Sequence, residues 1–491
     1  MQSDLILTTG ATGYIGGRLV PRLLEKGYRV RCLARDPNRL RGRSWADCVE
    51  IVAGDLLDAE SLKSALEGCR FAYYLVHAMG GGEKSFRDLD LRSARNFAEA
   101  AASARLERIV YLGGLGNRNE QLSKHLSSRH EVGDELRRGA TPTTELRAAM
   151  IIGSGSASFE MLRALVLRLP AMICPRWVNN RTQPIAIRDV LSYLTGCLDN
   201  PATSGLVLDI GGPDILTYKD MMTRFAAILG LRRWILVVPV LTPRLSAYWA
   251  NLVTPVPASI AFPLIEGLKS ETICEDNRIL TLVPLARLGF EDAVVAALDG
   301  VLQRRVETRW TNASLRGKAR RSIGFDPSEF PIQERREVEC LASSEALFDR
   351  VRRIGGEVGW YFADTLWKIR GWLDRLIGGV GLRRGRRDPE GVYVGDAIDF
   401  WRVEDYDPGR RLLLHAEMKV PGDAWLEFVV EPAGELGERS VLIQTAYFKP
   451  TRFWGRLYWS LLYPIHRVIF EGMARSIVAA AERSRTKAET G

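Results

Sequence analysis

The sequence has no paired cysteines. Seven are scattered along 491 residues and none falls in a CxxC. That excludes a disulfide framework and a thiolate zinc site, and an odd, dispersed set suits reduced thiols. A cytoplasmic location is therefore expected, and no metal. Long apolar runs are missing too. A bilayer span needs roughly 18 to 20 consecutive apolar residues. The nearest stretch, residues 234–265, is interrupted by Pro239, Pro243, Arg244, Asn251, Pro255 and Pro257. The first apolar run has strand length and ends in glycines, so no secretory leader is expected. Charge is nearly balanced, with 68 Lys and Arg against 59 Asp and Glu and a net charge of +9. This modest basic excess fits a phosphate-rich ligand and leaves a peripheral contact with an anionic membrane open. Nucleic acid is not expected, because no reading motif accompanies the short basic run at Arg383, Arg384, Arg386 and Arg387.

Hydrophobic residues make up 46% of the chain and charged residues 26%, as in ordinary globular proteins. The length exceeds one ordinary core, so two domains are expected. The most informative stretch is residues 5–19. An apolar run ends at Gly10-Ala11-Thr12-Gly13-Tyr14-Ile15-Gly16, and a helical pattern opens at once through Ile15, Leu19, Val20 and Leu23. Each glycine has a task in a strand–turn–helix that holds a dinucleotide. Gly10 permits the tight turn, Gly13 lets backbone approach the pyrophosphate, and Gly16 lets the helix pack on the strand. The free N–H groups at the helix start then face the phosphates.

Residues 27–37 read as a second strand. NAD enzymes usually end it with a carboxylate that holds the ribose 2′-hydroxyl. Here Ala34 takes that place and Arg35 follows. An arginine suits a 2′-phosphate, so NADP is expected. NAD stays open, because a one-residue shift would make Asp36 the ribose ligand. Arg39 is a second phosphate contact or a solvated helix residue. Residues 49–52 form a third strand leading to Gly54-Asp55-Leu56, where an acidic and then an apolar residue would cover the adenine ring. Residues 70–79, with His77, Ala78 and Met79, are a fourth strand, and residues 108–116 a fifth. Helical patterns alternate with the strands, one of them over residues 87–104. The alternation implies an α/β, doubly wound parallel sheet.

Taken in order, the glycine turn, Ala34-Arg35-Asp36-Pro37, Gly54-Asp55-Leu56, Val76-His77-Ala78-Met79 and the glycines at 113, 114 and 116 resemble the short-chain dehydrogenase/reductase superfamily. The resemblance is strongest to its atypical, NmrA-like NAD(P)-binding group. Residues 144–155 are similar to that family's sixth strand and the turn into a small substrate lobe. Residues 183–190 and 208–213 are similar to recurring segments of that lobe. The resemblance implies a Rossmann domain over residues 1–305. Around the cofactor it implies Gly10, Ala11, Thr12, Gly13, Tyr14, Ile15, Gly16, Arg35, Asp55, Leu56 and His77.

One departure from the family matters for function. Family reductases use a Tyr-xxx-Lys pair on the helix after the fifth strand, with a Ser or Thr at that strand's end. Here no tyrosine occurs between Tyr111 and Tyr193, and the strand ends in Gly113-Gly114 with no hydroxyl before Ser123. Alignment by eye puts His125 in the tyrosine's place and Arg129 in the lysine's. Two readings follow. In one, His125 is the acid/base and Arg129 the fixed positive charge of an oxidoreductase, since an imidazole pKa near 6.5 suits proton transfer at neutral pH. In the other, the site is redox-dead and the chain is an NADP(H) sensor or assembly protein, which the family's regulators and a complex I accessory subunit resemble. His130 is a weaker candidate, and His77 is expected to shape the pocket. The lobe over residues 153–300 is helical and apolar, either a greasy pocket for a lipid-like or quinone-like compound or plain core. The expected partner is a small hydrophobic substrate or ligand. Oligomeric state is not readable.

Residues 306–330 read as a basic, exposed linker. From residue 331 the pattern changes to helices over 343–354 and 361–377, strands over 396–403, 411–420, 424–431 and 440–448, and a long helix over 453–482 with a break at Pro464. The order resembles a C-terminal α+β helix-grip domain of the START-like, DUF2867 type over residues 331–491. Such a sheet wraps its last helix and often leaves an apolar cavity. The aromatics and leucines from Phe453 to Tyr463 are expected to line that cavity or to be core. This half has no HExxH, Walker motif or carboxylate pair, so ligand binding and no chemistry is expected of it.

Overall fold

The computed structural model describes residues 4–77, 83–117, 123–238, 253–302, 307–308, 311, 325–377, 379–381, 386, 388, 390–434 and 438–489. The chain divides into two compact units, Met1–Arg320 and Arg321–Gly491.

The first unit is built on seven parallel strands: β1 (Leu5–Thr9), β2 (Arg29–Ala34), β3 (Glu50–Ala53), β4 (Phe71–Tyr74), β5 (Arg108–Gly114), β6 (Thr143–Ala148) and β7 (Val207–Ile210). Their order is β7-β6-β5-β4-β1-β2-β3. Every residue of β1, β4 and β5 is buried. Unbroken burial is the mark of inner parallel strands covered on both faces, which is why these segments read as apolar runs. Residues 208–213 were expected in the substrate lobe. They instead supply β7, the edge strand beside β6, with Leu208 opposite Leu146. The core on one face gathers Leu19, Val20 and Leu23 from α1 (Gly16–Glu25) against Ile6 and Val30. On the other, Phe97 and Ala101 from α2 (Glu83–Ser103) pack with Leu7 and Tyr74.

The chain leaves β1 toward β2 on one side and later returns to β4 on the other. The loops after β1 and β4 therefore diverge and open a crevice at the carboxyl edge of the sheet. Gly10 makes the turn there with φ of +72°, and a Cβ on it would lie 2.6 Å from the Leu75 carbonyl oxygen. Neither demand can be met by another residue without strain.

The second unit is an antiparallel sheet of six strands. These are β8 (Ile332–Cys340), Ala397–Ile398, β9 (Trp401–Asp407), β10 (Arg411–Ala416), β11 (Gly422–Ala433) and β12 (Arg439–Pro450), in the order β8-β12-β11-β10-β9 and then Ala397–Ile398. The terminal helix α4 (Arg452–Glu489) lies against β8 and β12, burying Phe470, Met473 and Ile477 in a core with Phe348, Trp360 and Phe428. That is a helix-grip arrangement.

Four expectations for this half are corrected. Residues 332–340 form a strand that the sequence reading passed over. Residues 396–403 are not one strand but two, joined at Asp399, whose φ is +52°. The long helix does not break at Pro464. Proline removes one N–H, whose acceptor would be the carbonyl of Ser460, and both residues are exposed, so water can serve that oxygen while the packed turns beyond hold the helix. The run from Phe453 to Tyr463 is neither cavity lining nor core. Trp459 alone of its aromatics is buried, and Phe453 and Trp454 are 70% and 71% exposed. Most of the stretch 306–330 lies outside the described residues, as do Ala78, Met79, Trp249, Arg383, Arg384 and Arg387. Thr308 is described. It is buried, accepts from Arg18 Nε at 2.9 Å and donates to the Tyr14 carbonyl at 2.8 Å, so this part of the expected linker packs on the glycine turn.

Candidate functional site

The helix α3 (Lys124–Arg138) starts where the Ser123 hydroxyl accepts the Leu126 N–H. That is an N-cap, and it explains why the helix opens at this point. Leu126, His130, Val132 and Leu136 are buried. His125 and Arg129, four residues apart, share another face. Both line a cavity of about 800 Å3 at the carboxyl edge of the sheet. Gly10, Gly13, Tyr14, Ile15, Gly16 and His77 line the same cavity. Its far end is apolar, with Met161, Leu165, Met172, Trp177, Met222 and Leu264. The volume falls within the range that encloses small organic ligands.

The polar end is organised by a chain of three groups. His77 Nδ1 lies 3.4 Å from the Asp90 carboxylate, and His77 Nε2 lies 3.2 Å from His125 Nδ1. The two imidazoles meet edge to face, with centroids 4.7 Å apart. Asp90 is buried on α2. Burial, His77 and Arg129 together hold the His125 imidazole well below its ordinary pKa range. His125 is therefore a neutral ring near pH 7, contrary to the expectation of an ordinary imidazole. Arg129 Nε is buried without a hydrogen-bond partner, and the Tyr111 hydroxyl donates to the Arg129 carbonyl at 3.0 Å. His130 does not line the cavity. It is buried, with Nε2 2.9 Å from the Gly114 carbonyl oxygen.

The glycines at the end of β5 make room for this helix. A Cβ on Gly114 would lie 2.8 Å from Leu126 Cδ2 and 3.2 Å from Arg129 Cδ. One on Gly113 would lie 3.0 Å from Glu145 Oε1. Glu145 is fully buried between Arg137 and Arg147. The space beyond this strand end is filled by Leu126, Arg129 and Glu145. Two tyrosines reach the cavity, Tyr14 in the glycine turn and Tyr218 at the apolar end. Burial raises both, Tyr218 to about 12, so neither is a ready proton source at neutral pH.

The remaining expected cofactor residues lie apart from the cavity. Ala11 is buried in the turn beside Thr12. Arg35, Asp55 and Leu56 follow β2 and β3, whose ends pair through Ala34 and Ala53, with Gly54 N–H donating to the Ala34 carbonyl at 3.1 Å. Arg35 is exposed; Asp55 Oδ1 accepts from Leu57 N–H, and Leu56 is buried. Asp36, the alternative ribose ligand, spends Oδ1 on the Asn38 N–H at 3.1 Å. Two residues were missed from sequence. Asp90 sits two positions from Asp88 with nothing local to distinguish it, and Tyr218 lies far from the strand–turn motifs.

The turn fits a dinucleotide. A Cβ on Gly13 would meet only the Gly10 carbonyl oxygen, at 3.1 Å, so the space above Gly13 belongs to the cavity and a phosphate can approach the backbone.

Comparison with known proteins agrees with this geometry. Residues 10–150 match a family model described as NAD(P)H-binding. Residues 327–473 match one described as a protein of unknown function, DUF2867. Cinnamoyl-CoA reductase 2 of Arabidopsis thaliana is 32% identical over 24% of this chain and 37% of its own length. Ceramide reductase of Caulobacter vibrioides is 28% identical over 48% of this chain and 74% of its own length. The chain thus spans about a third of the first relative and about three quarters of the second. The solved structure of Citrobacter sp. triphenylmethane reductase superposes with a TM-score of 0.49 at 19% identity, covering 60% of this chain and 99% of that one. The chain thus carries an NAD(P)H-binding match over residues 10–150 and a DUF2867 match over residues 327–473.

Proposed function

We infer that the first unit is an NADP(H)-dependent reductase of a hydrophobic carbonyl, or of a quinone-like compound, working in either direction between carbonyl and alcohol. The observation that carries this reading is one cavity lined by the glycine turn, by His125 and Arg129, and by an apolar far end. Reductases among the relatives support it. A lipid-like substrate suits the apolar end, as the name of ceramide reductase suggests for that relative.

The cofactor, when bound along the turn, would supply a hydride. The chain's own groups supply the proton and a positive charge. Gly10, Gly13 and the start of α1 would hold phosphate, and Arg35 would take the 2′-phosphate, with Ala11, Thr12, Tyr14, Ile15 and Gly16 shaping the turn. Asp55 and Leu56 border the adenine end. In the proton path, a protonated His77, its Nδ1 facing the Asp90 carboxylate, would donate its Nε2–H to His125 Nδ1. His125 Nε2–H gives its proton to the substrate oxygen while its Nδ1 receives the one from His77. The substrate oxygen would thus gain its proton from the chain's own groups, and His77 would end neutral until water recharges it. Arg129 holds positive charge near the reacting oxygen.

A second reading, a non-catalytic NADP(H) sensor or assembly protein, is favoured by the depressed His125, which makes the imidazole a weak acid source unless the relay feeds it.

The test is rapid-mixing oxidation of bound NADPH by quinones and by aliphatic and aromatic carbonyls, on wild type and His125→Ala, after calorimetry of cofactor binding. Arg35→Ala is expected to weaken NADPH about tenfold or more and to spare NADH, from the loss of a charge-assisted bond. Oxidation that slows in His125→Ala supports the reductase. Tight binding with no oxidation by any compound moves the assignment to the sensor.

A further inference from the structure

The second unit exposes two apolar helical faces that nothing among the described residues covers. On α4, Phe453, Trp454, Leu461 and Val468 are 70%, 71%, 70% and 61% exposed. The helix Asp364–Leu376 buries Trp367, Gly371 and Asp374 and turns Leu366, Ile369, Trp372 and Leu373 outward. The two helices meet near the start of the first: a Cβ on Gly472 would meet the Phe362 ring at 2.5 Å, and Trp367 packs on Phe470 with centroids 6.2 Å apart. Single exposed apolar residues are ordinary, but a contiguous set of this size marks a contact surface.

The charges say what it contacts. From residue 450 to residue 470 the chain has Arg452, Arg456 and Arg467 and no carboxylate. All three arginines are exposed, and none has an ion-pair partner among the described residues. Lys368 and Arg370 add positive charge on the facing helix. Trp372, Trp454 and Tyr463 sit among them. Apolar face, interleaved aromatics and arginines without acids are the composition of a helix lying in a membrane interface. Among the described residues no helix is long and apolar enough to cross one. A second copy of the chain is a poorer occupant, because a two-fold contact would set Arg452, Arg456 and Arg467 against arginines, and the exposed carboxylate of this face, Asp364, already accepts the Trp360 N–H.

We propose that the face formed by Asp364–Leu376 and the first half of α4 docks on an anionic lipid surface. The apolar and aromatic side chains enter the headgroup boundary and the arginines meet lipid phosphates.

The experiment is sedimentation of the full chain with vesicles of phosphatidylcholine alone and of equal parts phosphatidylcholine and phosphatidylglycerol, with tryptophan emission read in parallel. Binding is expected only to the anionic vesicles, with a blue shift, and it weakens as salt rises. Arg456→Ala lowers affinity about fivefold. Trp454→Glu and Leu461→Glu lower it about tenfold or more, with circular dichroism unchanged because both sites are exposed. The proposal is overturned by no binding to anionic vesicles, or by full binding of Trp454→Glu and Leu461→Glu. It is overturned if binding is lost only with Trp234→Glu and Leu236→Glu, whose side chains are exposed in the first unit. It is also overturned if light scattering finds a dimer that Leu461→Glu dissociates.

Discussion

His77 Nε2 lies 3.2 Å from His125 Nδ1, so the loop after β4 and the first turn of α3 share one hydrogen bond in the lining of the cavity. The bond fixes which nitrogen of His125 is left for a substrate. It also ties two segments that are 48 residues apart to one another and, through Asp90, to α2.

That arrangement makes stability pH-dependent. A histidine whose folded pKa lies below its unfolded value takes a proton more readily when unfolded. Its contribution is whole above the unfolded value of ~6.5 and is lost as pH falls through it toward the folded value. Urea midpoints measured on either side of ~6.5 should drop on the acid side in wild type. The drop should be smaller in His125→Gln, and equal slopes in the two proteins would contradict the assigned shift.

Asp90→Asn keeps the shape of the carboxylate and removes its charge. The expected outcome is a reduction step slowed about a hundredfold, with the NADPH dissociation constant little changed. A mutant that binds cofactor as poorly as it reacts would make Asp90 a structural residue only.

Two glycines in the turn should separate folding from binding. Gly10→Ala forces a Cβ against the Leu75 carbonyl at positive φ, so it should destabilise the first unit by about 1–3 kcal/mol. Gly13→Ala meets only the Gly10 carbonyl, at 3.1 Å and without a positive φ, so it should cost less stability than Gly10→Ala and lose NADPH affinity in calorimetry. Normal binding by Gly13→Ala would remove the pyrophosphate from the place assigned to it.

Gly114→Ser restores the hydroxyl that family reductases carry at this strand end. Here it should hurt. The added Cβ would press on Leu126 and Arg129, costing about 1–3 kcal/mol by overpacking and shifting Arg129 within the cavity. Thermal unfolding and NADPH oxidation should both fall; a gain in activity would show that α3 can retreat.

The first unit was largely legible in the sequence because its signals are local. A strand, a glycine turn and a helix in immediate succession leave one arrangement, and inner parallel strands announce themselves as apolar runs. His125 and Arg129 were reachable by position along the family's helix. Asp90 was not, since only the fold brings it beside His77. β7 was misplaced because the strand after a long excursion gives no sign that it rejoins the sheet. In the second unit the break at Pro464 was expected from proline alone, but the packed turns around Met473 and Ile477 decide the helix. The run from Phe453 to Tyr463 shows the limit of hydrophobicity as a guide: it marks what avoids water, not whether the protein itself provides the shelter.

β8 escaped notice for a related reason. Gln333, Arg335, Glu337 and Glu339 alternate outward, all exposed, and their charges drown the period of the strand. This strand is an edge of the sheet among the described residues. Open edges invite pairing with strands of other molecules, and alternating charges of both signs discourage it. The composition that hides β8 is thus also one that disfavours pairing along this edge.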